Sequence, residues 1–170
     1  MDRSGDLLVS LMAKWMNGKY MRFFGNIEAK LDQKGRAFFP VVFRKILQEE
    51  NGSGVLVLRK DVYQPCIVIY PEAVWNSMID NLRSKLNMWN CEHQQIYRQF
   101  VSDVEVIKLD SSGRLLIPGR YRAMANLEQN VNFIGMDEYV ELWGEANMQK
   151  PFMEIDEFKT KLQEIINYGK

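Results

Sequence analysis

One frame occurs twice in this chain, and no other feature limits the possible folds so strongly. Residues 30 to 44 read KLDQKGRAFFPVVFR and residues 108 to 122 read KLDSSGRLLIPGRYR. The identities Lys30, Leu31, Asp32, Gly35, Arg36, Pro40 and Arg44 fall on Lys108, Leu109, Asp110, Gly113, Arg114, Pro118 and Arg122 without a gap. Self-similarity at a fixed offset marks a repeated structural unit. The chain therefore holds two copies of one small fold.

Each copy has the period of a β-rich unit. In GNIEAKLD, Ile27, Ala29 and Leu31 alternate with Glu28 and Lys30, the pattern of a half-buried strand. Asp-x-x-Gly then predicts a tight hairpin turn, because an Asp carboxylate accepts hydrogen bonds from the backbone just ahead and Gly tolerates positive φ. RAFF resumes the strand with Phe38 and Phe39 alternating, so at least one faces the core. Pro40 opens a helix, PVVFRKILQEE, with an apolar side of Phe43, Ile46 and Leu47. NGSG ends it, and VLVL and CIVIY read as two further strands. The second copy repeats the scheme through VEVIKLD, the DSSG turn, RLLIP, a helix around Arg120 to Ala125, VNFIG and YVELW.

The expected fold class is α+β. The expected division is a first repeat over 21–72, a helical connector over 73–100, a second repeat over 101–145 and a C-terminal helix over 146–170. Residues 1–20 form an extension outside both repeats, read either as a loose segment or as a short amphipathic helix around Leu7 to Trp15. The last helix carries Ile155, Phe158, Leu162, Ile165 and Ile166 on one side, which needs a partner in this chain or another.

The 22 basic residues balance 22 acidic ones, which argues against a protein that coats nucleic acid by bulk charge. The distribution is uneven. Lys30, Lys34, Arg36, Arg44 and Lys45 lie in or beside the first frame with Asp32 as their only acid, and Lys108, Arg114, Arg120 and Arg122 surround Asp110. No run of about 18 apolar residues suggests a membrane span, and the first residues lack a secretory pattern, so a cytoplasmic protein is expected. Cys66 and Cys91 do not make a disulfide framework. His93 is the one histidine, and Cys91 two positions earlier projects from a different helix face, so no metal site is expected. GSG at 52–54 is too short for a phosphate-binding loop. No catalytic residue, cofactor or small-molecule substrate is evident.

A turn by itself accounts for Asp32 and Gly35 but not for Lys30, Lys34 and Arg36 gathered on a short ribbon. A two-stranded ribbon in a DNA major groove does account for them, since it fits the groove and presents side chains to base edges. Arginine offers a planar fork to guanine there, while lysine at a tip suits phosphate.

LDQKGRAFFP and LDSSGRLLIP, with FFGN before the first, CIVIYPEAVW after it and VELW closing the second half, resemble the MraZ family and its two D-x-x-x-R motifs, from about Met21 to Trp143. The resemblance implies two tandem AbrB-like swapped-hairpin β units, related by a pseudo-two-fold, whose repeats interlock. It also implies a homo-oligomeric ring and a double-stranded DNA partner: short direct repeats upstream of the protein's own operon for division and cell-wall synthesis. Binding there would usually be as a repressor, in the cytoplasm and nucleoid. Residue by residue, it implies that Asp32 and Asp110 orient their turns, that Arg36 and Arg114 make the leading base or phosphate contacts, and that Lys34 touches the backbone. Lys30 and Lys108 complete the basic set. The first motif is expected to contribute more, because the second has Ser111 and Ser112 in its tip. Two other readings stay open: a ring-forming interaction scaffold whose basic turns meet acidic tails of neighbours, and an RNA-binding module. For the latter, the aromatic platform of single-strand binders is not evident near the turns.

Overall fold

Each duplicated frame contributes strands to two different sheets in the computed structural model, which describes residues 22–49 and 53–168. The expectations for residues 1–20 lie outside the described residues. The first repeat supplies β1 (Asn26–Lys30), β2 (Arg36–Phe38), α1 (Val41–Glu49), β3 (Val55–Lys60) and β4 (Ile67–Pro71). Two helices follow, α2 (Glu72–Ser84) and α3 (Cys91–Val101). The second repeat supplies β5 (Glu105–Lys108), β6 (Arg114–Leu116), α4 (Gly119–Met124), β7 (Asn130–Met136) and β8 (Tyr139–Gly144). A 3-10 turn over Glu145–Asn147 leads to α5 (Ile155–Asn167). The class is α+β with antiparallel sheets, as the sequence pattern predicts.

The repeats interlock. The large sheet runs β1-β7-β8-β4-β3-β5, and β2 pairs with β6 in a ribbon of its own. Strand β1 of the first repeat lies on β7 of the second, with Ile27 opposite Phe133, and β5 of the second lies on β3 of the first, with Val106 opposite Val57. The two halves meet in the middle, where Ile69 of β4 faces Val140 of β8. Exchanging β1 with β5, β3 with β7 and β4 with β8 leaves the order unchanged, which is the pseudo-two-fold expected of the duplication.

One expectation from the local pattern needs correction. The turn after β1 is not the tip of a β1–β2 hairpin, because these strands do not pair with each other. The turn is closed by Gly35 N–H donating to the Asp32 carbonyl (3.0 Å) and Asp32 N–H donating to the Arg36 carbonyl (2.8 Å). So sharp a reversal sends the chain out of the large sheet, and each flanking strand takes its ladder from the other repeat.

Burial explains why this exchange is stable. Central strands β3 and β4 are covered on both faces, so they read as continuous apolar runs rather than alternating ones. On one face Phe39 and Phe43 of the first repeat pack with Leu115, Ile117, Tyr121 and Phe133 of the second. Phe39 meets Phe133 edge-on, with ring centroids 5.6 Å apart. On the other face Val57, Val68, Tyr70 and Trp143 are roofed by Val74, Trp75 and Met78 of α2. Helix α3 is held by Trp75 stacked on Phe100 at 6.0 Å and by the Arg59 guanidinium 4.0 Å over the Phe100 ring. Residues 152–168, α5 included, are exposed throughout. No described helix is long and apolar enough to cross a membrane.

Candidate nucleic-acid interface

The two frames build the same turn. Asp32 Oδ1 accepts from the backbone N–H groups of Lys34 (2.9 Å) and Arg36 (2.9 Å), and Oδ2 accepts from Arg36 Nε at 2.8 Å. In the second copy Asp110 Oδ1 accepts from the N–H groups of Ser112 and Arg114, both 2.9 Å, and Oδ2 from Arg114 Nε at 2.7 Å. The backbone N–H of Arg36, and then its side chain, hold the Asp32 carboxyl below the usual range; Arg114 does the same for Asp110. Both aspartates are therefore ionised at neutral pH and fix the arginine beside them. The ion pairs are too exposed to contribute much to stability. They act on orientation.

The β2–β6 ribbon brings the two arginines together. Arg36 lies opposite Leu116, Ala37 opposite Leu115 and Phe38 opposite Arg114. Directly opposed residues project to the same side, so the buried pair Ala37 and Leu115 defines the inner face. Arg36, Phe38, Arg114 and Leu116 share the outer face, on which Phe38 is 59% and Leu116 54% exposed. The arginines occupy one diagonal, roughly 7–8 Å apart at Cα by the usual ladder spacing. Among the described residues no hydrogen bond uses their terminal amino groups, because their intramolecular bonds run through Nε and the backbone. The outcome is a small outer surface with two oriented guanidinium groups and two exposed apolar side chains.

The other basic residues are distributed differently. Lys34 is exposed at the first turn tip, where the second copy has the uncharged Ser112. Lys30 and Lys108 are exposed at the ends of β1 and β5, which form opposite edges of the large sheet, and so neither lies on the ribbon. Two residues of the duplicated frame to which the sequence pattern assigned no role stand at the turns. Arg44 of α1 lies against Gly113, and Arg122 of α4 lies against Gly35. The signal was present in the sequence as the last identity of the frame. Their contacts were hidden because each reaches into the other repeat. An open cleft of about 520 Å³ beside the first turn is lined by Asp32, Gln33 and Arg122, and one of about 380 Å³ beside the second by Asp110, Ser111 and Arg44.

The remaining candidates have structural places. His93 Nδ1 accepts from the Asn87 N–H at 2.8 Å and helps close the α2–α3 loop. Cys66 is buried beside Glu141, and Cys91 is exposed at the start of α3. Among the described residues no group of three or more His, Cys, Asp or Glu side chains could hold a metal ion.

Comparison with known proteins finds relatives over most of the chain. Residues 100–166 match the family model described as "MraZ protein, putative antitoxin-like". A protein of Phocaeicola vulgatus named Transcriptional regulator MraZ is 55% identical over 146 residues, 86% of this chain and 94% of that protein. One of the same name from Bacteroides thetaiotaomicron is 50% identical over 147 residues, again 86% and 94%. A more distant one from Yersinia pestis is 34% identical over 123 residues, 72% of this chain and 80% of that protein.

Proposed function

The chain belongs to the MraZ family, and we propose that it is a DNA-binding transcriptional regulator whose reading surface is the outer face of the β2–β6 ribbon. The observation that carries this is the pair Arg36 and Arg114, each locked to a turn aspartate and both on that exposed face. A two-stranded antiparallel ribbon fits a major groove, and an arginine whose Nε is already engaged keeps its terminal amino groups for guanine or phosphate. Asp32 and Asp110 orient, while Lys34, Lys30 and Lys108 supply backbone contacts to either side. The two repeats, over 21–72 and 101–145, act as one reader.

The operator is proposed to be short direct repeats upstream of the protein's own operon for division and cell-wall synthesis, bound as a repressor in the nucleoid. Binding is by a closed ring of subunits. Several modest contacts then add through effective concentration, which suits a subunit with zero formal net charge. The exposed apolar side of α5, with Ile155, Phe158 and Leu162, supports such assembly because no described residue of that helix is buried. The relatives carry the name of a regulator, and no reaction is proposed.

The test is fluorescence anisotropy with a labelled duplex from upstream of the gene and a shuffled duplex, for wild type and Arg36→Ala. Sequence-preferring binding that weakens as salt rises and falls by about tenfold or more in the variant, to a level still measurable at low salt, is expected. Equal, weak binding to both duplexes would leave the turns with an assembly role, the scaffold reading.

A further inference from the structure

We propose that Arg44 and Arg122 are positioning residues that act across the repeats: Arg122 sets the first turn, from which Arg36 projects, and Arg44 sets the second, from which Arg114 projects. The inference rests on the reading of those two arginines as DNA contacts.

Two independent observations carry it. The first is steric. Gly35 and Gly113 have φ of +83° and +82°, which favours glycine, and the space beside each α-carbon is taken by an arginine. A Cβ on Gly113 would lie 2.0 Å from Arg44 Nη1 and 2.8 Å from Cζ; one on Gly35 would lie 2.9 Å from both Cζ and Nε of Arg122. The guanidinium of one repeat thus occupies the space that a side chain on the other's turn would fill. Both glycines are buried although the turn residues before them are exposed. The second observation is the hydrogen bonding. The Gly35 carbonyl accepts from Ile117 N–H at 2.9 Å, and the Gly113 carbonyl from Phe39 N–H at 3.0 Å. Each glycine is therefore held by the opposite repeat at two places, its carbonyl by the ribbon and its α-carbon by an arginine.

The orientation of Arg44 and Arg122 does not fit residues that mainly meet phosphate. Nε of each is buried and has no hydrogen-bond partner among the described residues, and Arg44 Nη1 donates to the Ser112 carbonyl at 3.5 Å, so the inner part of each guanidinium lies against the protein. The chain tolerates this unpaired donor because the guanidinium plane and its stem fill the volume over the glycine. What the brace controls is the next peptide unit. Gly35 leads directly into Arg36, whose N–H and Nε both reach Asp32, so a shift of Gly35 redirects the arginine two ways at once. The same holds for Gly113 and Arg114.

The experiment is a pair of crossed double-variant cycles on the full chain, read by anisotropy with the upstream duplex at several salt concentrations. Arg122→Leu is expected to weaken binding about tenfold in the wild type and about tenfold again when added to Arg114→Ala, but less than about twofold when added to Arg36→Ala, as coupled neighbours should. Arg44→Leu should show the mirror pattern, silent beside Arg114→Ala and fully effective beside Arg36→Ala. A general loss of structure would not follow this crossed rule. Arg122→Lys and Arg44→Lys, which keep the charge but not the plane, provide a second set should the leucine variants fold poorly, with the same pattern expected. Equal losses in all backgrounds would overturn the inference. So would a direct phosphate contact, seen as a further fall of about 0.9 in the salt slope when Arg122→Leu is added to Arg36→Ala. If Arg36→Ala and Arg114→Ala themselves bind as the wild type does, the DNA-reading proposal fails first and the positioning role fails with it.

Discussion

The inner face of the β2–β6 ribbon gives a quantitative test of the interlock. Leu115 is fully buried and lies directly opposite Ala37, itself only 2% exposed. Leu115→Ala removes buried apolar atoms next to a residue too small to move in, so the cost should be about 3 kcal/mol, within the range for core leucines. For a chain of this length that corresponds to a fall in Tm of roughly 6–12 °C. Ala37→Leu, by contrast, overfills the same space and should cost about 1–3 kcal/mol. Because the two side chains meet across the ladder, the exchange Ala37→Leu/Leu115→Ala conserves volume, and the double variant should lose less than about 1.5 kcal/mol. Urea unfolding at one fixed protein concentration measures all three, concentration being held because assembly shifts the midpoint. A double variant as damaged as the sum of its parts would mean that these residues do not share one packing site, and the ribbon between the repeats would be refuted.

Other predictions follow from single side chains. Asp32 and Asp110 have folded pKa values below the usual carboxylate range, so their contribution is present above the ordinary value and is lost only as pH falls through the lowered one. Carbon-detected NMR titration should place both midpoints below about 3.9; Arg36→Ala should raise that of Asp32 only in part, since the backbone N–H, the largest cause, remains. Asp32→Asn keeps an oxygen for the two backbone N–H groups but cannot accept from Arg36 Nε while doing so, and it should weaken DNA binding without moving the Tm by more than a few degrees. The Tyr121 hydroxyl reaches the carbonyls of Leu58 and Asp103 in a fully buried place, so Tyr121→Phe should cost about 1–3 kcal/mol in urea unfolding. Burial raises the Cys66 thiol pKa far above the ordinary value, whereas Cys91 is exposed. A thiol reagent at pH 8 should therefore modify Cys91 alone in the folded protein and both residues in denaturant.

Much of this fold was legible in the sequence. The duplication, the strand periods and the helix after each Pro reflect local rules, and the structure follows them. The exchange of strands was not legible from pattern alone. Alternation in Ile27, Ala29 and Leu31 says that one side is buried; it does not say whether β1 pairs with β2 or with β7, because either ladder would bury the same residues. The same limit hid Arg44 and Arg122. Both were visible as identities in the frame, but Arg44 meets the turn at Ser112 and Gly113, 68 residues from it at Ser112, and nothing in a local window points there. The buried pair Ala37 and Leu115 could be assigned to a core, yet only the ladder shows that they face each other and so put Arg36 and Arg114 on one surface. For α5 the amphipathic pattern was readable, and its partner was not, since the pattern describes one side of a contact.

That shared surface is tested most directly by hydroxyl-radical footprinting of the protein, read by mass spectrometry, with the upstream duplex against an equal amount of shuffled duplex. Phe38 and Leu116 are exposed on the outer face of the ribbon, while Tyr63 and Trp89, 90% and 95% exposed, belong to the β3–β4 and α2–α3 connections and not to the ribbon. The account predicts that Phe38 and Leu116 lose reactivity together on the upstream duplex while Tyr63 and Trp89 keep theirs. Protection of Tyr63 or Trp89 with Phe38 and Leu116 unchanged would contradict it.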